Sequence, residues 1–167
     1  MHPFNIAILG NVNETYEPHY VMTLEFGQSV FQVETLRHVN EDIALEPNET
    51  FLQALNFCSM ENPISRFKSC PGTLTSRVYN HGETISEVTH CSNGVHRNMI
   101  PIFAQEGLVV SAQDEDGEPK IMEYTRNDYF VIVLFLPQLQ SAPDHPHPLI
   151  AAFVNAAGHT NVHKKVC

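Results

Sequence analysis

Seven consecutive apolar residues, Phe130–Leu136 (FVIVLFL), constrain this chain more than any other stretch. No charged residue falls between Asp128 and Asp144. Crossing a bilayer takes about 20 apolar residues, so the run is no membrane span. Its β-branched and aromatic side chains suit one strand covered on both faces, and Pro137 ends it. Such a strand needs apolar partners on two sides, and the rest of the chain must supply them. The length of 167 residues predicts one domain over 1–167. At that size folding buries roughly 70% of the unfolded surface, so a full core needs no staples.

Nine Lys plus Arg against nineteen Asp plus Glu give a net charge of −10. No basic stripe is available for phosphates, so neither nucleic acid nor an anionic membrane surface is an expected partner. The N-terminal MHPFNIAILGN lacks the basic region and cleavage site of a complete signal peptide, and reads as a mature domain behind an initiator Met. Four cysteines (Cys58, Cys70, Cys91 and Cys167) and two sequons, at Asn13 and Asn48, predict a secreted glycoprotein with two disulfides. Four cysteines permit three pairings, and spacing does not choose among them.

Phe4–Leu9 reads as a first strand, and Tyr20–Phe26 with Ser29–Leu36 as a hairpin. Asn48–Met60 has helical spacing of Phe51, Leu52, Leu55 and Cys58, whereas Asn62–Gly72 reads as a loop. Thr73–Tyr79 and Thr84–His90 suggest a second hairpin, and Met99–Phe103 and Gly107–Ala112 two short strands. Asp114–Glu118 (DEDGE) is a turn with a strong Asp-Gly signal, in preference to a calcium loop. Lys120–Tyr124 and Asp128–Leu136 then pair across Thr125–Asn127. Leu139–Pro148 is too rich in proline for regular structure. Leu149–Ala157 is a helix begun by Pro148 and closed by Gly158, apolar nearly all round and so expected to be buried. The sum is an all-β fold: an antiparallel barrel of about eight strands with one C-terminal flanking helix, or alternatively a β-sandwich.

Common catalytic signatures are missing: no GxSxG, P-loop, GxGxxG, HExxH or CxxC occurs. Ten histidines exceed nine Lys plus Arg. His145-Pro-His147 could chelate, as could His159 and His163, but these lie in proline-rich and terminal segments, and the expectation is no metal and no cofactor. Titration of the histidines between pH 7.4 and 5.5 could instead modulate binding of a partner.

From Ile121 onward the order of features resembles a lipocalin. Tyr124-Thr-Arg-Asn-Asp-Tyr129 before the apolar run is similar to the Thr-Asp-Tyr motif that opens a late barrel strand in that family. LIAAFVNAAGHTNVHKKVC resembles the family's external helix, glycine and C-terminal cysteine. The family's Gly-x-Trp is missing, as the chain has no Trp, and the strand expected after Phe135 is replaced by Leu139–Pro148. The resemblance implies a Cys91–Cys167 bond and leaves Cys58–Cys70 as a local bridge. It also implies a non-catalytic secreted carrier of a small hydrophobic ligand. Phe31, Val33, Tyr79, Phe103, Tyr129, Val131 and Val133 are the expected cavity lining. Two alternatives are a secreted sandwich that binds a secreted or cell-surface protein through its loops, and a metal-dependent enzyme using histidines.

Overall fold

A computed structural model describes residues 52–54, 64–80, 84–89 and 93–162. The readings for residues 1–51, including Phe31, Val33 and both sequons, lie outside these, as do Cys58, Cys91 and Cys167. In chain order the elements are β1 (Leu52–Ala54), β2 (Ile64–Ser69), α1 (Leu74–Val78), β3 (Thr84–Val88) and β4 (Asn93–Val95). A 3-10 turn at Arg97–Met99 leads into α2 (Ile100–Gln105). Then come β5 (Leu108–Gln113), β6 (Pro119–Tyr124), β7 (Val131–Val133), a 3-10 turn at Pro137–Gln140, and α3 (Pro148–Val162).

Five strands form one antiparallel sheet in the order β3-β2-β5-β6-β7, and β1 pairs with β4 in a separate ribbon. The Phe130–Leu136 run explains how the sheet is covered. Alternate side chains of an extended chain leave on opposite faces. Phe130, Ile132 and Leu134 join Val95, Met99, Phe103, Leu108 and Met122 in one core. Val133 and Phe135 join Phe67, Ile85, Ala112, Ile121 and Leu149 in the other, with Val131 packed against it. Helix α2 closes the first face, α1 and α3 the second. The fold is therefore mixed α/β with an open sheet. Neither the closed eight-stranded barrel nor the sandwich survives, because helices, not a second large sheet, cover the faces.

The run itself is an edge strand of three residues, because Leu134–Gln140 leaves β7 and returns to the other edge. Leu134 N still donates to Lys120 O of β6 at 3.0 Å. Two residues on, Leu136 N donates to Val88 O of β3 at 2.9 Å. Gln140 completes the junction: its Oε1 accepts from Val88 N at 3.2 Å and its Nε2 donates to Ser86 O at 3.3 Å. One short segment thus joins both edges, and the sheet curls into a half-barrel.

Local expectations are corrected in several places. Leu52–Ala54 is a strand and not part of a helix, since it pairs with Asn93–Val95. Ile64–Ser69, expected as loop, is β2, with Phe67 and Ser69 buried. Thr73–Tyr79 is not a hairpin arm but contains helix α1; the partner of Thr84–Val88 is β2. Met99–Phe103 is helical, with Pro101 in the first turn of α2, where its missing N–H costs nothing. Helix α3 runs through Gly158 to Val162, and it is less buried than expected: Leu149 is buried while Val154 is exposed. Among the described residues no helix is long and apolar enough to cross a membrane.

Candidate functional site

Strand β3 alternates, so Ile85 and Glu87 point to the same buried side. Ile85 meets the second core, and Glu87 meets polar groups brought from both ends of that face. Tyr79 follows α1, and His147 precedes α3. Tyr79 Oη donates to Glu87 Oε1 at 2.9 Å, and His147 Nε2 lies 2.9 Å from the same oxygen. Tyr79 Oη is 3.3 Å from His147 Nε2. Leu149 N donates to His147 Nδ1 at 3.3 Å, which requires a lone pair there. The proton of a neutral imidazole then sits on Nε2 and is donated to Glu87; this tautomer follows from the hydrogen-bond network. Phe135 and Tyr79 pack around the ring at centroid distances of 6.2 and 6.0 Å. Burial, and after it the Glu87 carboxylate, pushes the Tyr79 phenol far above its usual range, so it stays protonated and remains a donor.

Glu87 is almost fully buried, and its Oε2 has no hydrogen-bond partner. A cavity of about 230 Å³ lies against this cluster, with Ile85, Glu87, Gln140, His147 and Pro148 in its lining.

A second polar centre sits under α1. Glu123 of β6 accepts from Leu74 N at 2.9 Å, Thr75 N at 3.1 Å and Thr75 Oγ1 at 3.3 Å. Its carboxylate thus fills the unpaired donors that every helix N-terminus leaves. Thr73 caps the same turn, accepting from Ser76 N at 3.0 Å and donating to Cys70 O at 2.7 Å. The Cys70 thiol is free, and burial followed by the nearby Glu123 charge raises its pKa. A cavity of about 220 Å³ opens here, lined by Gly72, Arg77, Glu123 and Asp128 among others.

The chemistry of these centres is limited by their bonding. A triad histidine holds a carboxylate with one nitrogen and takes the nucleophile's proton with the other. His147 holds Glu87 with Nε2, but Leu149 N occupies Nδ1, so no nitrogen is left for a nucleophile. Cys70 stands beside a carboxylate, which disfavours the reactive thiolate.

The expected lining residues are dispersed. Phe103 lies in the first core and Val133 in the second, on opposite faces of the sheet, with Val131 against the second. Tyr129 Oη donates to Leu149 O at 2.6 Å. Of the five described, Tyr79 alone lines the cavity at Glu87; Phe31 and Val33 are outside the described residues. His145 is exposed while His147 is buried on Glu87, so the two do not act as one chelating pair. Among the described residues no three His, Cys, Asp or Glu groups are placed to share a metal ion. Glu87 was not foreseen, although the alternation in TISEV puts it on the face of Ile85.

The architecture has a solved counterpart in fold. It is similar to the glutaminase domain of Trypanosoma brucei CTPS with bound acivicin, at TM-score 0.70 and 16% identity, over 83% of this chain and 56% of that one. Particular relatives follow from sequence. The chain is 36% identical over 90 residues to the CTP synthase of Picosynechococcus sp.. It is 38% identical over 87 residues to that of Bradyrhizobium sp. and 39% over 87 residues to that of Rhodopseudomonas palustris. Each match takes in 52–53% of this chain and 16% of the relative, so the shared stretch is about one sixth of those proteins. No family model matches the chain. These likenesses overturn the lipocalin resemblance, which rested on a short motif, a late helix with its glycine and a terminal cysteine. The secreted, non-catalytic carrier falls with it, since the sequence relatives are CTP synthases, which are enzymes.

Proposed function

We propose that the chain is a glutaminase-type domain of the CTP synthase kind, which releases ammonia from the side-chain amide of glutamine. The observation that carries this reading is the 36–39% identity to CTP synthases over half of the chain. The likeness in fold to a domain bound to acivicin supports it. Cleaving an amide this way needs a nucleophile and a base within hydrogen-bond reach of each other. Among the described residues no base is found within hydrogen-bond reach of Cys70, whose pKa is raised, while His147 has both nitrogens engaged. We place the nucleophile among the cysteines outside the described residues, Cys58, Cys91 or Cys167.

Purified chain incubated with glutamine should release ammonia. Treatment with acivicin should leave a single covalent adduct, and peptide mapping should put it on one of those three cysteines and not on Cys70. An adduct on Cys70 would refute the assignment. Ammonia release no faster than the blank, with no adduct formed, would overturn the reaction itself, even if glutamine binds reversibly.

A further inference from the structure

We propose that the exposed half of the sheet's first face is a docking surface for the acidic stretch Glu41–Glu49 of the same chain. The proposal does not depend on the amide reaction. It starts from how far the first core extends. Leu108 of β5, Met122 of β6 and Ile132 of β7 belong to that core, and no residue of β2 or β3 does. Phe67 and Ile85 serve the opposite face. By alternation Ile64, Arg66 and Lys68 of β2 and Thr84 and Ser86 of β3 therefore stand on the first face. All five are exposed.

Charge decides what suits this surface. Arg66 and Lys68 lie about 7 Å apart along one strand and repel each other. Their cross-strand neighbours are Ser86, Thr84 and Gln113, which carry no charge. Among the described residues no carboxylate pairs with either cation. Acid is concentrated elsewhere: residues 1–51 hold eight of the nineteen Asp and Glu against one basic residue, Arg37. Four of the eight, Glu41, Asp42, Glu46 and Glu49, fall in a stretch without Lys or Arg. Ile43 and Leu45 among them suit the half-exposed Ile64. Position agrees with charge. Glu49 lies three residues before Leu52 of β1, which pairs with Val95 of β4, and Val95 belongs to the first core. The stretch thus joins the described structure on the side that carries Arg66 and Lys68. Nine residues can reach roughly 30 Å, and five strands are about 20 Å across. Exposed ion pairs are individually weak, but a tethered partner is present at high effective concentration. A free polyanion would instead have to approach a chain of net charge −10.

The test treats the full chain at low salt with a zero-length carbodiimide, which joins a lysine amine directly to a carboxylate, and maps the links by mass spectrometry. Lys68 should be linked to one of Glu41, Asp42, Glu46 and Glu49 within the monomer fraction. Arg66→Glu, at an exposed position, should lower the yield of that link at least threefold with the circular dichroism unchanged, and 0.5 M NaCl should do the same to the original chain. Lys68 linked only to other carboxylates, or to none, would overturn the proposal. So would a link confined to the dimer fraction, which would make a second copy the occupant, or a yield unchanged in a folded Arg66→Glu.

Discussion

Glu118 is a carboxylate poorly suited to its surroundings. It is buried beside Lys120 and Asp114, and its Oε1 has no partner. Burial raises its pKa, against the lowering influence of Lys120 and Arg97. With the folded-state pKa above the unfolded one, the native state holds the extra proton between the two values. Stability then falls as pH rises through that window, and the loss is complete above the folded-state pKa. Glu118→Gln should stabilise the protein at pH 7 by about 1 kcal/mol and lose most of that advantage near pH 4, read from urea unfolding at both values. Cys70 carries a pH effect of its own. Its raised pKa should make alkylation by iodoacetamide at pH 7.5 several-fold slower than that of a free cysteine in an unfolded control, with the rate still climbing above pH 9.0. The turn at Asp114–Glu118 was legible from its Asp-Gly pair, and Gly117 there has φ of +77°. The burial of Glu118 was not, because it depends on the irregular register between β5 and β6, where bulges shift the partners.

Among the elements, α1 was the hardest to foresee. TLTSRVY alternates like a strand, and its helix has only five residues. What makes it a helix comes from 48 or 49 residues further on, where Glu123 fills its N-terminal donors. A cap supplied by tertiary structure leaves no local trace in the sequence. Thr73 is the local part of that cap, so Thr73→Ala should cost about 1 kcal/mol, measured by chemical denaturation. The α2–β5 turn has a sharper requirement. Gly107 has φ of +93°, and a Cβ there would lie 3.1 Å from Thr125 Oγ1. Its carbonyl also accepts from Thr125 N at 2.8 Å and from Thr125 Oγ1 at 3.1 Å. Gly107→Ala should therefore destabilise by about 1–3 kcal/mol. Helix α3 was legible in position but not in length. Its alanines and Phe153 continue the helical pattern, and the structure puts nothing within 4 Å of a Cβ built on Gly158, so that residue neither caps nor crowds.

At the scale of the molecule, the need for two apolar covers could be read from Phe130–Leu136, and the β6–β7 pairing from the turn between them. The strand order could not. Periodicity states that a strand has a buried face; it does not state which strand is its neighbour. A chain with many short extended segments therefore suggested closure by strands, where the closure comes from Leu134–Gln140. The relative weight of the two covers can be tested in the core: Phe103 is fully buried in the first, and Phe103→Ala should cost about 3–5 kcal/mol.

The junction at Gln140 has a further meaning for how the protein survives in solution. An open sheet presents a row of unpaired amides and carbonyls that can template stacking with other chains. Here one glutamine side chain occupies an amide and a carbonyl of β3 at once, while the backbone of Leu136 occupies a second carbonyl. The segment works as a clasp that hides a self-association surface. Gln140→Ala would release it, and light scattering of a concentrated sample at 37 °C should rise well before any loss of helical circular dichroism. If aggregation instead tracked unfolding step for step, the clasp would be a stabilising contact and no more.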